Sequence, residues 1–297
     1  MRMLLLFAVI LLAGCQTALP PLPAWQSPEG REHADLGRIV DLRSGEQLSP
    51  QQLVQRLATA QRLLVGEQHD NPDHHALQLW LLQALATQRR QGSVLLEMLT
   101  PDQQPRIAAV RARIADGLPI EGLAILLNWN PGWDWSLYSP IVRHALAQRY
   151  PLLAANLQQA EISRIYRQRP ILQGALSNTP AVRETLLAQI RLSHCGQMPE
   201  SQLPAMLAVQ QQRDRRMAEA LLAAPAPSLL LAGAYHVRRD LGVPLHLADL
   251  GAPTGDLVLM LAEVGEPVDA SMADLVWYTA ALPQQDHCAD FGRSSQQ

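Results

Sequence analysis

The sequence predicts an α/β fold: a mostly parallel sheet flanked by helices, with a helical insertion forming a small lobe or lid. Three observations carry that expectation. Short apolar runs recur at residues 62–66, 93–97, 151–156, 228–233 and 256–262, and each is continuous rather than alternating, as in strands covered on both faces. Helix-like stretches lie between them, the arrangement that builds parallel βαβ units. The chain has 297 residues, 48% hydrophobic and 17% charged, enough apolar material for a large core and too much for a disordered chain.

The elements follow in chain order. Met1-Arg2-Met3 precedes an apolar run over residues 4–13 and then Gly14-Cys15. A short positive start and about ten apolar residues suit a secretory signal and are too short to span a bilayer. Leu12-Ala13-Gly14-Cys15 resembles the lipobox of bacterial lipoproteins, which implies a signal peptide over 1–14, acylation of Cys15 and attachment to a lipid bilayer. Gln16, rather than Asp, after that cysteine implies sorting to the outer membrane. Residues 17–30, with four prolines, read as an extended tether, so 15–35 is assigned to the lipidated Cys and flexible linker. The domain then covers 36–290, with the helical insertion at about 100–225 and a tail at 291–297.

Residues 38–42 form a candidate edge strand or hairpin. Ser49-Pro50 reads as an N-cap and first-turn pair opening a helix to about residue 60, and Asn71-Pro72 does the same for a helix to about residue 90. Residues 120–149 and 179–224 are helix-like with few strand signals. No other segment is long and apolar enough to cross a bilayer. The formal charge is −3 and aromatics are 4%, which excludes a nucleic-acid partner, since phosphate binding needs a basic face and base stacking needs aromatic rings. All basic residues are Arg. Cys195 and Cys288 remain beyond the lipobox; an even pair in an oxidising compartment is a disulfide candidate, and two free or metal-binding thiols are the alternative.

Polar residues cluster where a parallel sheet places its ligands, just past the strand ends. These are Gly66-Glu67-Gln68-His69-Asp70, Glu97, Asn156, Gly233-Ala234-Tyr235-His236 and Glu263. Two Gly-x-x-His segments each follow a Leu-rich strand, and each glycine permits a tight turn bringing an imidazole to the sheet edge. His and Glu are common metal ligands, and His and Tyr serve as axial haem ligands, so this rim is competent for a metal or a metalloporphyrin. In the plainer reading Glu67 and Asp70 cap the next helix and His69 completes a buried hydrogen bond. Asp70 and His74 share a helix face while His75 points about 100° away; an adjacent His pair at a helix start is more often surface than ligand. Trp129, Trp133, Trp135 and Tyr138 form an aromatic block that either flanks a flat ligand or pins a loop. His33, His144, His194, His246 and His287 show no partner pattern.

Gly66-Glu67-Gln68-His69-Asp70-Asn71-Pro72 with His74-His75, the 133–138 block, Ala154-Ala155-Asn156, and Gly233-Ala234-Tyr235-His236-Val237-Arg238-Arg239-Asp240 with Gly242-Val243-Pro244 resemble the ChaN family. These are iron-regulated haem-binding lipoproteins within the Tiki/TraB/erythromycin-esterase superfamily, and the resemblance runs from about Gly37 to Cys288. It implies haem uptake at the outer membrane, haems held between subunits of a homodimer, an outer-membrane haem receptor as a further partner, and a Cys195–Cys288 disulfide. It also implies Tyr ligation of iron, but the family's Asp-Tyr near the C-terminus reads Asp274-Leu275 here. The haem-binding set is therefore Glu67, His69, His74, His75, Glu97, Tyr138, Asn156, Tyr235 and His236, with His69, His74, His75, Tyr138 and Tyr235 open as axial ligands. The wider superfamily supplies the rival reading, a metal-dependent esterase or peptidase. There Glu67 or Glu97 is the general base and His69 and His236 hold a divalent metal ion or activate water.

Overall fold

The computed structural model describes residues 18–286 and 288–289; the signal segment, Cys15, His287 and the tail beyond 289 lie outside the described residues. Eight strands among those described form one sheet: β1 (Ile39–Asp41), β2 (Gln47–Leu48), β3 (Arg62–Glu67), β4 (Ser93–Leu96), β5 (Leu152–Ala154), β6 (Ser228–Gly233), β7 (Asp256–Glu263) and β8 (Leu275–Thr279). Their order is β2-β1-β8-β7-β3-β6-β4-β5. Every pairing from β8 to β5 is parallel, and β1 and β2 close one edge as an antiparallel hairpin. All the expected strands are present; β8 and β2 are additional.

The helices are α1 (Pro50–Ala58), α2 (Pro72–Leu85), α3 (Gln104–Ala115), α4 (Leu123–Leu126), α5 (Trp135–Ala147), α6 (Gln159–Gln168), α7 (Pro180–Ser193), α8 (Leu203–Ala223), α9 (Ala234–Val237) and α10 (Val243–Asp249). Helix α1 starts where Ser49 accepts from the Gln52 amide and the Gln52 side chain reaches back to the Ser49 amide, two orphan donors satisfied reciprocally. Helix α2 starts where the Asn71 side chain accepts from the amides of Asp73 and His74. It ends at Leu85, short of the expected residue 90, because the chain turns there and Arg89 donates to the carbonyls of Leu57, Ala58 and Ala60 beyond the end of α1.

Continuous apolar strands mean burial on both faces, and the core divides accordingly. Leu63 and Val65 of β3 point into one cluster with Leu53 and Leu57 of α1, Leu77 and Trp80 of α2 and Ile141 of α5. Leu64 points into the other with Met217 and Leu221 of α8 and Leu247 of α10. Each of these side chains is buried, contributing about 1.5–3 kcal/mol by removal from water.

Strand β5 lies inside the 100–225 stretch and splits it. Helices α3 to α5 pack on the main cluster, whereas α6 and α7 rest on α8 through two small clusters, Ile165 with Val209, and Leu186 and Ile190 with Leu203 and Leu207. That second group is the small lobe. Cys195, after α7, is disulfide-bonded to Cys288, tying the lobe to the C-terminal segment. Among the described residues no helix is long and apolar enough to cross a membrane.

The described part of the expected tether, 18–35, is fastened to the domain. Leu19 and Trp25 pack on the main cluster. The Pro20 carbonyl accepts from Trp80 Nε1 at 2.9 Å, and the buried Asp73 carboxylate accepts from the amides of Gln26 and Ser27. Glu29 bridges to Ala281 at the sheet edge. Prolines do keep this segment extended, but Leu19 and Trp25 pack on the main cluster and its backbone bonds to Trp80 and Asp73 of α2, so it is a strap.

Candidate functional site

The carboxyl ends of β3, β4, β5 and β6 converge on one rim, and two networks meet there. In the first, Glu67 ends β3 fully enclosed. Its Oε1 accepts from the Tyr138 hydroxyl at 2.7 Å and from His69 Nδ1 at 2.9 Å. Its Oε2 lies 3.1 Å from His75 Nε2, a nitrogen that donates to the His69 carbonyl at 2.9 Å. Burial, then the Glu67 charge that accepts its proton, pushes the Tyr138 phenol far above its ordinary value; this tyrosine is held protonated.

His69 alone of this network reaches solvent, its side chain 43% exposed. Its ring stands edge-on to Trp133, centroids 4.8 Å apart. Partial burial disfavours its protonation, but the Glu67 hydrogen bond and the Glu97 and Glu67 charges outweigh that and raise its pKa. With Nδ1–H directed at Glu67, the neutral ring keeps its lone pair on Nε2, which has no partner among the described residues. A buried carboxylate fixing one ring nitrogen of an otherwise open imidazole is the usual support of a metal-ligating or proton-accepting histidine.

In the second network, Glu97 follows β4 and accepts from the Gly233 amide at 2.8 Å. Its other oxygen lies 3.2 Å from His236 Nε2, and Asp214 of α8 accepts from His236 Nδ1. All three side chains are buried. Burial opposes the imidazolium, but the two carboxylates override it and push His236 up to about 10. Burial likewise opposes the Glu97 carboxylate, and the His236 charge overrides it, holding Glu97 down at about 2.

Gly233 joins the networks. A Cβ there would sit 2.7 Å from His69 Cε1 and 2.8 Å from Nε2, so the imidazole lies on bare backbone whose amide is bonded to Glu97. At Gly66 a Cβ would meet Val237 and Met260 at under 3 Å. Neither glycine has a positive φ; both serve close approach rather than the tight turns expected from sequence.

The remaining candidates separate cleanly. His74 is fully buried with Nδ1 accepting from the Gln68 amide at 2.8 Å and Nε2 donating to Thr279 Oγ1 at 2.9 Å, and burial and His75 push it down to about 3. It is a core brace, not a rim ligand, and neither His74 nor His75 is the surface residue that adjacency suggested. His236 has both ring nitrogens engaged, so it forms no metal pair with His69. Among the described residues no group of three or more His, Cys, Asp or Glu gathers to hold a metal ion. The cap of α2 is Asn71, not Glu67 or Asp70, and Glu263 holds the Asn71 amide at 2.7 Å. Asn156 accepts from the Leu157 amide and lines a cavity with Glu97 and Trp133. Tyr235 is 45% exposed with Arg238 over its ring. Leu275 is a core residue of β8 paired with Leu259 in mid-sheet, so a tyrosine at that position would not reach the rim.

The aromatic block pins a loop and also opens onto a concavity. Buried Trp129 pins the loop, its Nε1 donating to the Trp133 carbonyl at 2.9 Å. Trp133 and Trp135 line an open concavity of about 780 Å³ with Pro131 and Ile125, and Ile125 is 82% exposed. Sequence reasoning missed Asp214. Its signal was an acid on the apolar stripe of α8 that also carries Met217, Ala218 and Leu221, where only a partnered carboxylate survives burial.

A family model described as haem-binding uptake, Tiki superfamily, ChaN, matches residues 53–247. A solved structure titled as cofacial heme binding to ChaN of Campylobacter jejuni is 31% identical, covers 81% of this chain and 95% of its own, and superposes with a TM-score of 0.74. A mutant of the erythromycin esterase EreC in its open conformation is 12% identical with a TM-score of 0.43, covering 82% of each chain. No curated protein sequence matches the chain.

Proposed function

The chain belongs to the ChaN haem-binding uptake family of the Tiki superfamily, and from that premise we propose that it binds haem on the β3–β6 rim, with His69 facing the iron. One observation carries the assignment: among the histidines of the two rim networks, His69 alone has a half-exposed side chain, a buried carboxylate fixes its Nδ1, and its Nε2 has no partner among the described residues. Haem supplies a flat apolar macrocycle, an iron that accepts an axial donor, and carboxylates at its edge. The rim fits those demands, placing an open imidazole beside a Trp-lined concavity. Glu67 orients the imidazole through Nδ1, the Tyr138 hydroxyl holds Glu67, and the Glu97–His236–Asp214 array fixes the Gly233 backbone on which the ring lies.

Two further parts of the reading rest on likeness and motif. Cofacial haem in the Campylobacter jejuni protein and the open aromatic concavity here support a homodimer whose rims face one another. Leu12-Ala13-Gly14-Cys15 supports acylation at Cys15 and an outer-membrane address, with haem coming from or passing to an outer-membrane receptor.

Hemin titration of the chain from Gln16 onward, read by the Soret band and by size-exclusion mass, tests the reading. A saturable spectrum with one haem per chain and a shift to dimer is expected, and His69→Ala should alter the band. A band altered by Tyr235→Phe and not by His69→Ala would move the ligand to Tyr235, and no saturable change would defeat haem binding. The rival hydrolase reading would then be tested on the same sample with ester and peptide substrates. Incorporation of labelled palmitate, lost in Cys15→Ser, tests the anchor.

A further inference from the structure

Helix α8 carries three arginines within four residues, and they differ. Arg215 donates to Glu219 at 3.0 Å and Arg216 to Glu161 at 2.7 Å. Arg213 makes no hydrogen bond or ion pair among the described residues, and its Nε is buried. No other arginine there leaves a buried guanidinium nitrogen unpartnered. A buried donor without an acceptor costs stability, and the terminal nitrogens, equally unpartnered among the described residues but not buried, are the ones an acceptor outside the chain can reach.

Its position says what that could be. Arg213 stands between two cavities. One, of about 370 Å³, has Glu97, Trp133 and Asn156 on its walls, so it opens beside the His69 rim and shares Trp133 with the aromatic concavity. The other, of about 340 Å³, is bounded by Tyr166 and Gln210. The carboxylates around α8 are committed: Asp214 to His236, Glu161 to Arg216, and Glu97 to His236 and the Gly233 amide. Asp102, on the far wall of the first cavity, makes no ion pair with it. A guanidinium presents a planar fork of donors that matches a carboxylate two bonds at a time.

We propose that Arg213 is a carboxylate-binding subsite of the rim, taking the propionate-type side chain of a ligand whose flat body lies against Trp133. This rests on the haem reading and adds a point of recognition to it, so that the ligand is held at its anionic edge as well as at its iron.

The experiment compares hemin with hemin dimethyl ester, in which the carboxylates are masked, on wild type, Arg213→Gln and Arg213→Lys, each as the chain from Gln16. Esterification should weaken binding to wild type on the order of tenfold. Arg213→Gln should bind hemin as weakly as wild type binds the ester, with no further penalty for esterification. Arg213→Lys should restore part of the preference, keeping the charge without the fork. Thermal melting should show Arg213→Gln at least as stable as wild type, because it removes an unpartnered buried donor. An ester penalty of equal size in wild type and Arg213→Gln, or none in wild type, overturns the proposal while leaving haem binding intact. Failure of wild type to bind hemin at all removes the haem reading and this subsite with it.

Discussion

The two Gly-x-x-His segments share a pattern and a place at the end of a parallel strand, yet they deliver opposite chemistry. At 66–69 the histidine leaves the sheet in an open turn and meets one buried carboxylate, its side chain staying 43% exposed. At 233–236 it sits in the last turn of the short helix α9 and is closed between Glu97 and Asp214. What separates them is the second layer. Helix α8 supplies a second acid, Asp214, to His236, whereas the ring beside His69 is Trp133, met edge-on. A buried imidazolium between two carboxylates holds position; a half-exposed imidazole on one carboxylate can bind.

Substitutions should separate the two segments, and the largest effect belongs to the closed one. His236→Ala strands two buried carboxylates and should cost about 3–5 kcal/mol of unfolding free energy, measured by urea denaturation. Next comes Gly66→Ala, which drives a Cβ into Val237 and Met260 and should cost about 1–3 kcal/mol. Gly233→Ala drives its Cβ into the His69 ring instead, so its main effect should appear in the Soret band and hemin affinity. The smallest stability effect is expected from His69→Ala, about 1 kcal/mol for the lost hydrogen bond to buried Glu67, although it should change the hemin spectrum most. A His69 variant that unfolds, or a stable His236→Ala that alters the hemin spectrum, would reverse the comparison.

The two segments also differ in their response to pH. His236 is raised from 6.5 to about 10, so the folded state binds more protons than the unfolded one between those values. Its stabilisation is complete below about pH 6.5 and lost as pH rises through about 10. Glu97, lowered to about 2, contributes above its ordinary value of 4.5 and is lost as pH falls through 2. Buried His74, lowered to about 3, resists protonation and weakens the fold as pH falls from 6.5 through 3. Denaturation midpoints across pH should therefore fall on the alkaline side in wild type and flatten there in His236→Gln.

Much of this was legible in the sequence because Leu-rich runs buried on both faces carry their own signature. Strands β3, β6 and β7 fall where those runs fall, and Ser49 and Asn71 announce their helices. Strand β8 was not legible. A parallel neighbour ordinarily follows a helical crossover, but only the turn-rich residues 264–274 separate β7 from β8, so the alternation of strand and helix gives no cue. The rim was legible as a list of strand-end residues, not as a site. Whether His69, His74, His75 or His236 stays open depends on what packs above each: Thr279 over His74 comes from 205 residues away, and Asp214 precedes His236 by 22. No local pattern encodes either meeting.

The strap at the start of the domain has a consequence for geometry at a surface. From Cys15 to Leu19 the chain has four Cα steps, ~14 Å at full reach. Beyond Leu19 the backbone is pinned through Pro20 to Trp80 and through Gln26 and Ser27 to Asp73. An acyl group on Cys15 would thus be a short leash, and Leu22, 49% exposed on the uncharged stretch between them, would ride at the lipid headgroups. The domain could neither drift outward nor tumble freely.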